Sequence, residues 1–116
     1  MEASMNDLVQ STLENGHPLT VDGDQIDNKL LEDLSEQQQA DLLAWIISNV
    51  LPRKTANKSH SSYGIKHYAE KDLGFYISNN QFKDAMLQCG FQPVNPHQTN
   101  WIYKISNKSP FLSEPL

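Results

Sequence analysis

The side chains best able to do chemistry in this sequence are four histidines and one cysteine. Their spacing lacks the paired intervals of a zinc site, and the five glycines are too scattered for a phosphate-binding loop. Cys89 falls on the apolar side of an expected helix, which favours a buried thiol over a nucleophile. We therefore expect a binding protein rather than an enzyme, with neither cofactor nor metal.

The length and composition indicate one small domain with a tail. The chain has 116 residues, of which 38% are hydrophobic, and no apolar run approaches the length of a membrane span. The first residues lack the basic and apolar regions of a secretory signal. A single cysteine allows no intrachain disulfide. We expect a cytoplasmic protein that does not enter a membrane.

The net charge of −5 conceals two opposite halves. Residues 1–50 contain ten acids and one base, a net charge of −9, whereas residues 51–109 contain eight bases and three acids, a net charge of +5. This asymmetry suggests either a site for an anionic partner or a basic part masked by the acidic one. An ordinary solvated surface with uneven charge is the alternative.

Three helices are expected. Ser35 with Gln38 forms a capping-box pattern that opens a helix over residues 35–51, and apolar residues recur along it at steps of three and four before Pro52 ends it. Trp45 lies beside this apolar stripe and is free to pack against the acidic arm or a partner. After a basic, hydrophilic connector at 52–61, a second helix opens at Ser61 or Ser62.

The second helix is expected to end at Gly74, a residue suited to the left-handed position after a helix. A third helix begins at Ser78, where Gln81 completes another capping box, and closes at Gly90 with the apolar Phe91 after it. The short β-prone run 75–77 lies between these two helices.

A hairpin is expected after the third helix. Residues 92–94 and the alternating strand 101–105 flank a loop rich in proline and asparagine, as in a wing. The fold predicted is mainly α with a small β element, that is, three or four helices plus a short antiparallel hairpin, similar to a winged helix-turn-helix. The predicted boundaries are an acidic, partly flexible arm at 1–34, the domain at 35–109 and a tail at 110–116. Within the arm, turns are expected at His17-Pro18 and Asp22-Gly23, and residues 1–26 are either flexible or contain a loosely docked strand around Leu19 and Val21.

The outward face of the third helix is the expected reading surface, because its asparagine, glutamine and lysine side chains could contact base edges or phosphates. Bases elsewhere would contact the nucleic-acid backbone. The candidate nucleic-acid-binding residues are Arg53, Lys54, Lys58, Lys66, Asn79, Asn80, Lys83, Gln88 and Lys104. Two features weigh against this reading: Asp84 stands within the proposed face, and no arginine lies on that helix.

A longer pattern covers most of the basic half. It consists of Ser62-Tyr63-Gly64-Ile65-Lys66-His67, Glu70, Gly74, Tyr76-Ile77-Ser78-Asn79, Phe82, Ala85-Met86, Gly90-Phe91-Gln92-Pro93 and Asn100-Trp101. This pattern resembles a family of small proteins that phages and integrative elements of Gram-positive bacteria carry, a family without an assigned activity. The likeness spans about residues 40–112. It implies a mobile-element setting, in which small acidic proteins often inhibit host nucleic-acid machinery, CRISPR nucleases included.

Two functions therefore remain open. The first is DNA binding by a phage or mobile-element accessory protein through a winged-helix-like unit. The second is anti-CRISPR-like inhibition of a host defence nucleoprotein by protein contact or DNA mimicry. The residues expected to bind a protein partner are Asp22, Asp24, Asp27, Glu32, Asp33 and Trp45. A dimerisation module built on the helix 35–51 is a third, weaker option.

Overall fold

The computed structural model describes residues 10–113, so the outer ends of the predicted arm and tail, residues 1–9 and 114–116, lie outside it. Five strands and three α-helices occur in this part of the chain. They are β1 (Thr12–Glu14), β2 (His17–Asp22), β3 (Gln25–Asp27), α1 (Glu36–Asn49), β4 (Pro52–Ser61), α2 (Ser62–Leu73), α3 (Asn79–Gln88) and β5 (Ile102–Ile105). Two short 3-10 segments, Leu31–Asp33 and Pro110–Ser113, complete the order.

Strands β1, β2 and β3 form an antiparallel meander from residues that were expected to be an arm. A two-residue turn joins β1 to β2, with positive φ angles of 54° at Asn15 and 78° at Gly16. Asparagine and glycine are the residues that tolerate this left-handed conformation, which suits the twist of a tight hairpin. Gly23, with φ of 64°, occupies the predicted turn before β3.

Strand β4 pairs with β5 in a second antiparallel sheet. The paired positions are Pro52 with Ile105, Asn57 with Tyr103, and Ser61 with Ile102, and the register shifts between successive pairs. Between one pairing and the next, β4 contains three more residues than β5. The extra residues bulge out of β4 at two places.

The predicted helix ends are confirmed. Ser35 and Gln38 exchange capping bonds at the start of α1, and Ser78 and Gln81 do the same at the start of α3. Gly74 follows α2 with φ of 83°. At the end of α3, Phe91 N donates to Met86 O at 2.9 Å, which is the longer bond of a Schellman motif.

One apolar core joins the three helices to the inner side of the β4–β5 sheet. The largest of its fully buried members include Leu42 and Ile46 of α1, Ile65 of α2, Phe82 and Met86 of α3, and Trp101, Tyr103 and Ile105 of the β5 region. Within residues 10–113, no helix is long and apolar enough to cross a membrane.

The predicted mainly α fold with one short hairpin, similar to a winged helix-turn-helix, is wrong. The chain is α+β with two sheets. Residues 52–61, predicted as a connector, are the longest strand, and residues 10–34 contain a three-stranded sheet. Segment 92–94 is not a strand, and β5 pairs with β4 instead. The polar composition of both missed regions hid them, because each exposes much of its surface to solvent.

Candidate nucleic-acid interface

The expected reading face of α3 is buried. Asn80 and Lys83 have no exposed surface, and Asn79 is half-buried, so only Gln88 of the four predicted α3 residues faces solvent. Asp84, which was expected to repel phosphate, is also buried and accepts a hydrogen bond from Leu31 N at 2.8 Å. The prediction that this helix face points outward is therefore wrong.

The element that covers α3 is the N-terminal meander. Asn80 accepts a bond from Thr20 Oγ1 at 2.8 Å and donates to Pro18 O and Lys29 O, each at 2.9 Å. Asp27 accepts from Ser78 Oγ at 3.2 Å and from Asn80 N at 3.0 Å. The Asp27 carboxylate thus caps the N-terminus of α3, where a negative charge is favoured. The meander and α3 therefore pack as one unit, and the predicted boundary at residue 34 does not divide them.

Lys83 lies inside the core. Its Nζ stands 4.7 Å from the centroid of the Trp101 ring and has no hydrogen-bond partner among the described residues. Burial lowers the pKa of this lysine to about 8, and the charge of Asp27 only partly opposes that shift. Lys83 cannot contact a phosphate from this position.

Lys66 is also unavailable as a predicted phosphate ligand, since its side chain is almost fully buried. Its Nζ lies 3.2 Å from Glu70 Oε2, and Glu70 Oε1 is 3.0 Å from His67 Nδ1. Burial raises the pKa of Glu70, but bonds from Ile77 N, Lys66 and His67 outweigh burial, so this pKa lies below its ordinary value.

The predicted bases that do reach solvent cluster on the β4–β5 sheet. We call this surface the cationic sheet and define it by Arg53, Lys54, Lys58 and Lys104. The three lysines are exposed and Arg53 is half-buried. None of the four forms an ion pair with a residue of the described range 10–113.

The two bulges of β4 present these cations. The Arg53 guanidinium donates to Thr55 O at 3.0 Å and to Ala56 O at 2.8 Å, which braces the first bulge beside Lys54. Asn57, between the bulges, is 1% exposed. Its Nδ2 donates to Ile105 O at 3.1 Å, and its Oδ1 accepts from Ser59 N at 3.0 Å. Lys58 stands in the second bulge.

Arg53 and Lys104 also line one groove of about 510 Å³, with the segment 89–94 as its other wall. Cys89 on that wall is half-buried, and burial raises the pKa of its thiol, which favours the unreactive protonated form. Lys108 is a further exposed base, in the turn after β5. It was not among the predicted site residues, although its place in an acid-free stretch is visible in the sequence.

The predicted protein-binding residues divide into two groups. Asp22, Asp24, Glu32 and Asp33 are exposed, whereas Asp27 is engaged in capping α3. Trp45 is 6% exposed and buried in the core, and its Nε1 donates to Asp72 Oδ2 at 2.7 Å. The prediction that Trp45 is available to a partner is wrong.

A second groove lies between α2 and the β2–β3 turn and has a volume of about 730 Å³. Two exposed tyrosines, Tyr63 and Tyr76, stand on its walls. The sequence analysis missed this groove, although Tyr63 and Tyr76 both fall in the pattern quoted for the resemblance.

No group of three or more possible metal ligands occurs among residues 10–113. Comparison with protein-family models, with curated proteins and with solved structures finds no match to this chain.

Proposed function

We propose that the protein is a non-enzymatic nucleic-acid-binding protein, in the phage or mobile-element setting that the resemblance implies, and that it binds through the cationic sheet. The observation that carries this proposal is the concentration of cations on β4 and β5, where three lysines are exposed and no cation is ion-paired to a residue of 10–113. Residues 51–69 and 85–113, which include both strands, contain no acid. Phosphates of a nucleic acid are the commonest ligand for such a one-sign surface.

The site differs from the one expected on α3. Asn80, Lys66 and Lys83 are buried, so no helix face is offered to read base edges. The cationic sheet instead offers long, mobile lysine side chains, which contact phosphates without reading sequence. The proposal is thus backbone binding with little sequence preference.

The test is a salt-titrated binding measurement. In the variant Lys54→Ala/Lys58→Ala/Lys104→Ala, three phosphate contacts are removed, so affinity for a fluorescein-labelled oligonucleotide falls at low salt. The slope of log K against log salt should become shallower by about two to three units, close to one for each lost contact. Fluorescence anisotropy with single-stranded and duplex forms of the same sequence measures both quantities.

The matched control is Thr55→Ala/Ser59→Ala, which changes exposed residues of the same two bulges without altering charge. This control should bind as the unchanged protein does. Equal affinity and equal slope in the lysine variant would remove the cationic sheet as the binding surface.

A second function is favoured by the exposed carboxylates of the N-terminal segment. Asp22, Asp24, Glu32 and Asp33 present negative charge to solvent, as a mimic of DNA or a contact for a basic host nucleoprotein requires. Deleting residues 1–26 is not a clean test of this function, because Thr20 and Val21 are buried against the rest of the fold. Charge neutralisation is the suitable change.

A further inference from the structure

We propose that the groove between α2 and the β2–β3 turn takes unstacked bases of a single-stranded nucleic acid, whose phosphates follow the cationic sheet. This inference rests on the proposed function and adds to it the form of nucleic acid that is bound. It is carried by the groove's aromatic walls, by its amide groups and by its position at one end of the sheet.

The aromatic walls are Tyr63 and Tyr76, which are 50% and 66% exposed. Both rings are held in place rather than left loose. The Lys66 Nζ lies 5.3 Å from the Tyr63 centroid and 5.0 Å from the Tyr76 centroid, and the His67 ring packs edge-on against Tyr63 at 4.6 Å. Exposed, positioned aromatic rings are the platforms on which single-stranded bases stack.

The hydrogen-bonding groups of the groove suit base edges better than phosphates. Asn79 Nδ2 donates to Asn100 Oδ1 at 3.0 Å, so the Asn100 amide oxygen is engaged, and Asn100 and Gln25 are both exposed in the lining of the groove. The carboxylates of Asp27 and Glu70 already accept bonds from the protein. Their charge disfavours a phosphate in the groove but not an uncharged base.

The groove is connected to the cationic sheet through the chain, at the junction of β4 and α2. Strand β4 ends at Ser61, and α2, which carries Tyr63, begins at the next residue. Ser62 N donates to Trp101 O at 2.7 Å, and Trp101 N donates to Ser62 Oγ at 3.0 Å, so the ends of both strands are tied together at the groove. In the proposed complex, the nucleic acid follows Lys54 and Lys58 along β4 and continues past this junction to Tyr63.

Duplex DNA cannot use this groove without extracting a base from its stack, which costs free energy. In a single strand no base pair has to be broken, so the cost is smaller. The inference therefore predicts a preference for a single strand over the duplex of the same sequence.

The experiment compares three labelled probes by fluorescence anisotropy: a short oligothymidylate, a duplex, and an abasic strand of equal length and charge. The unchanged protein should bind the oligothymidylate most tightly. Tyr76→Ala and Tyr63→Ala should each weaken that binding about tenfold, because stacking on an aromatic ring contributes substantially for each base. The same variants should bind the abasic strand as the unchanged protein does.

The controls are Tyr76→Phe and Tyr63→Phe, which keep the rings and should keep the affinity. Unchanged oligothymidylate binding in both alanine variants, or equal binding of all three probes by the unchanged protein, overturns the groove assignment. The proposed function then still stands if the lysine variant of the cationic sheet loses affinity. Binding of none of the probes at low salt overturns both proposals and leaves the groove to a protein partner.

Discussion

Burial of the Lys83 ammonium costs the folded state free energy. Lys83 has no exposed surface, and its ammonium contacts only the face of Trp101 without a hydrogen-bond partner among the described residues. The cation–π contact with Trp101 offsets part of the hydration free energy that the ammonium loses on burial. The remaining cost appears as the lowered pKa of about 8, because the folded state disfavours the charged form.

We predict that Lys83→Met stabilises the protein at neutral pH by about 2 kcal/mol. Each pKa unit corresponds to about 1.4 kcal/mol, and the lost cation–π contact offsets part of the gain. Methionine has a similar length and no charge to desolvate. Urea unfolding at pH 7 measures the change, and a destabilised variant would show that the Lys83 charge is a net support of the fold.

Lys83 also makes the free energy of unfolding depend on pH. Between about pH 8 and 10.5 the unfolded chain keeps the Lys83 proton while the folded chain has lost it, so this lysine makes stability rise with pH in that window. From about pH 10 upward, Tyr103 acts in the opposite direction, since burial holds its folded pKa well above 10. The difference in unfolding free energy between Lys83→Met and the unchanged protein should therefore shrink as pH rises from 8 towards 10.

At the scale of elements, one asparagine joins the N-terminal meander to α3. The Asn80 side chain bonds to Thr20, to Pro18 O and to Lys29 O from a fully buried position. The meander covers α3 through these bonds and through buried Val21. Polar links of this kind are costly to break because each partner is left without a bond away from water.

We predict that Asn80→Ala destabilises the fold by about 2 to 4 kcal/mol, because it leaves two buried or half-buried carbonyls and one hydroxyl unpaired. Thermal unfolding followed by circular dichroism measures the effect. Gln88→Ala, an exposed change on the same helix, serves as the control and should leave the melting temperature unchanged. Equal melting of the two variants would contradict the role given to Asn80.

The elements that the sequence predicted well are those with local signals. The capping boxes at Ser35 and Ser78 and the glycines at 74 and 90 fix helix ends through bonds between near neighbours. The sheets depend on distant pairings, which no local pattern states. The Asn15-Gly16 and Asp22-Gly23 pairs were the local signs of the meander, because such pairs favour tight hairpin turns.

The candidate site was harder to predict for the same reason. On a helical wheel, Asn80 and Lys83 point away from the apolar residues of α3. They are therefore expected to face solvent unless another element packs over this side of the helix. The meander does cover it. Lysines 54, 58 and 104 were identified correctly as exposed bases, because charged side chains rarely become buried unless they are paired, as Lys66 is with Glu70.

At the scale of the whole molecule, the net charge opposes the proposed ligand. The chain carries a net charge of −5, although the cationic sheet is locally positive. Its radius of gyration of 14.4 Å is shorter than the screening length of about 30 Å at 0.01 M salt. At low salt, the exposed carboxylates of the N-terminal segment therefore repel a polyanion over distances comparable with the size of the molecule.

We predict that Asp24→Asn/Glu32→Gln, which changes two exposed carboxylates outside the groove, binds a labelled oligonucleotide several-fold more tightly than the unchanged protein at about 0.01 M salt. At 0.15 M salt the screening length falls to about 8 Å, so the difference should nearly vanish. Asn28→Ala, an uncharged and exposed change in the same segment, should match the unchanged protein at both salt concentrations.

The inhibitor function predicts an effect of the opposite sign on affinity. Carboxylates that themselves contact a cationic protein partner would strengthen that complex, so neutralising them would weaken it. No gain in oligonucleotide affinity, together with weaker binding to a basic protein, would favour the inhibitor function over nucleic-acid binding.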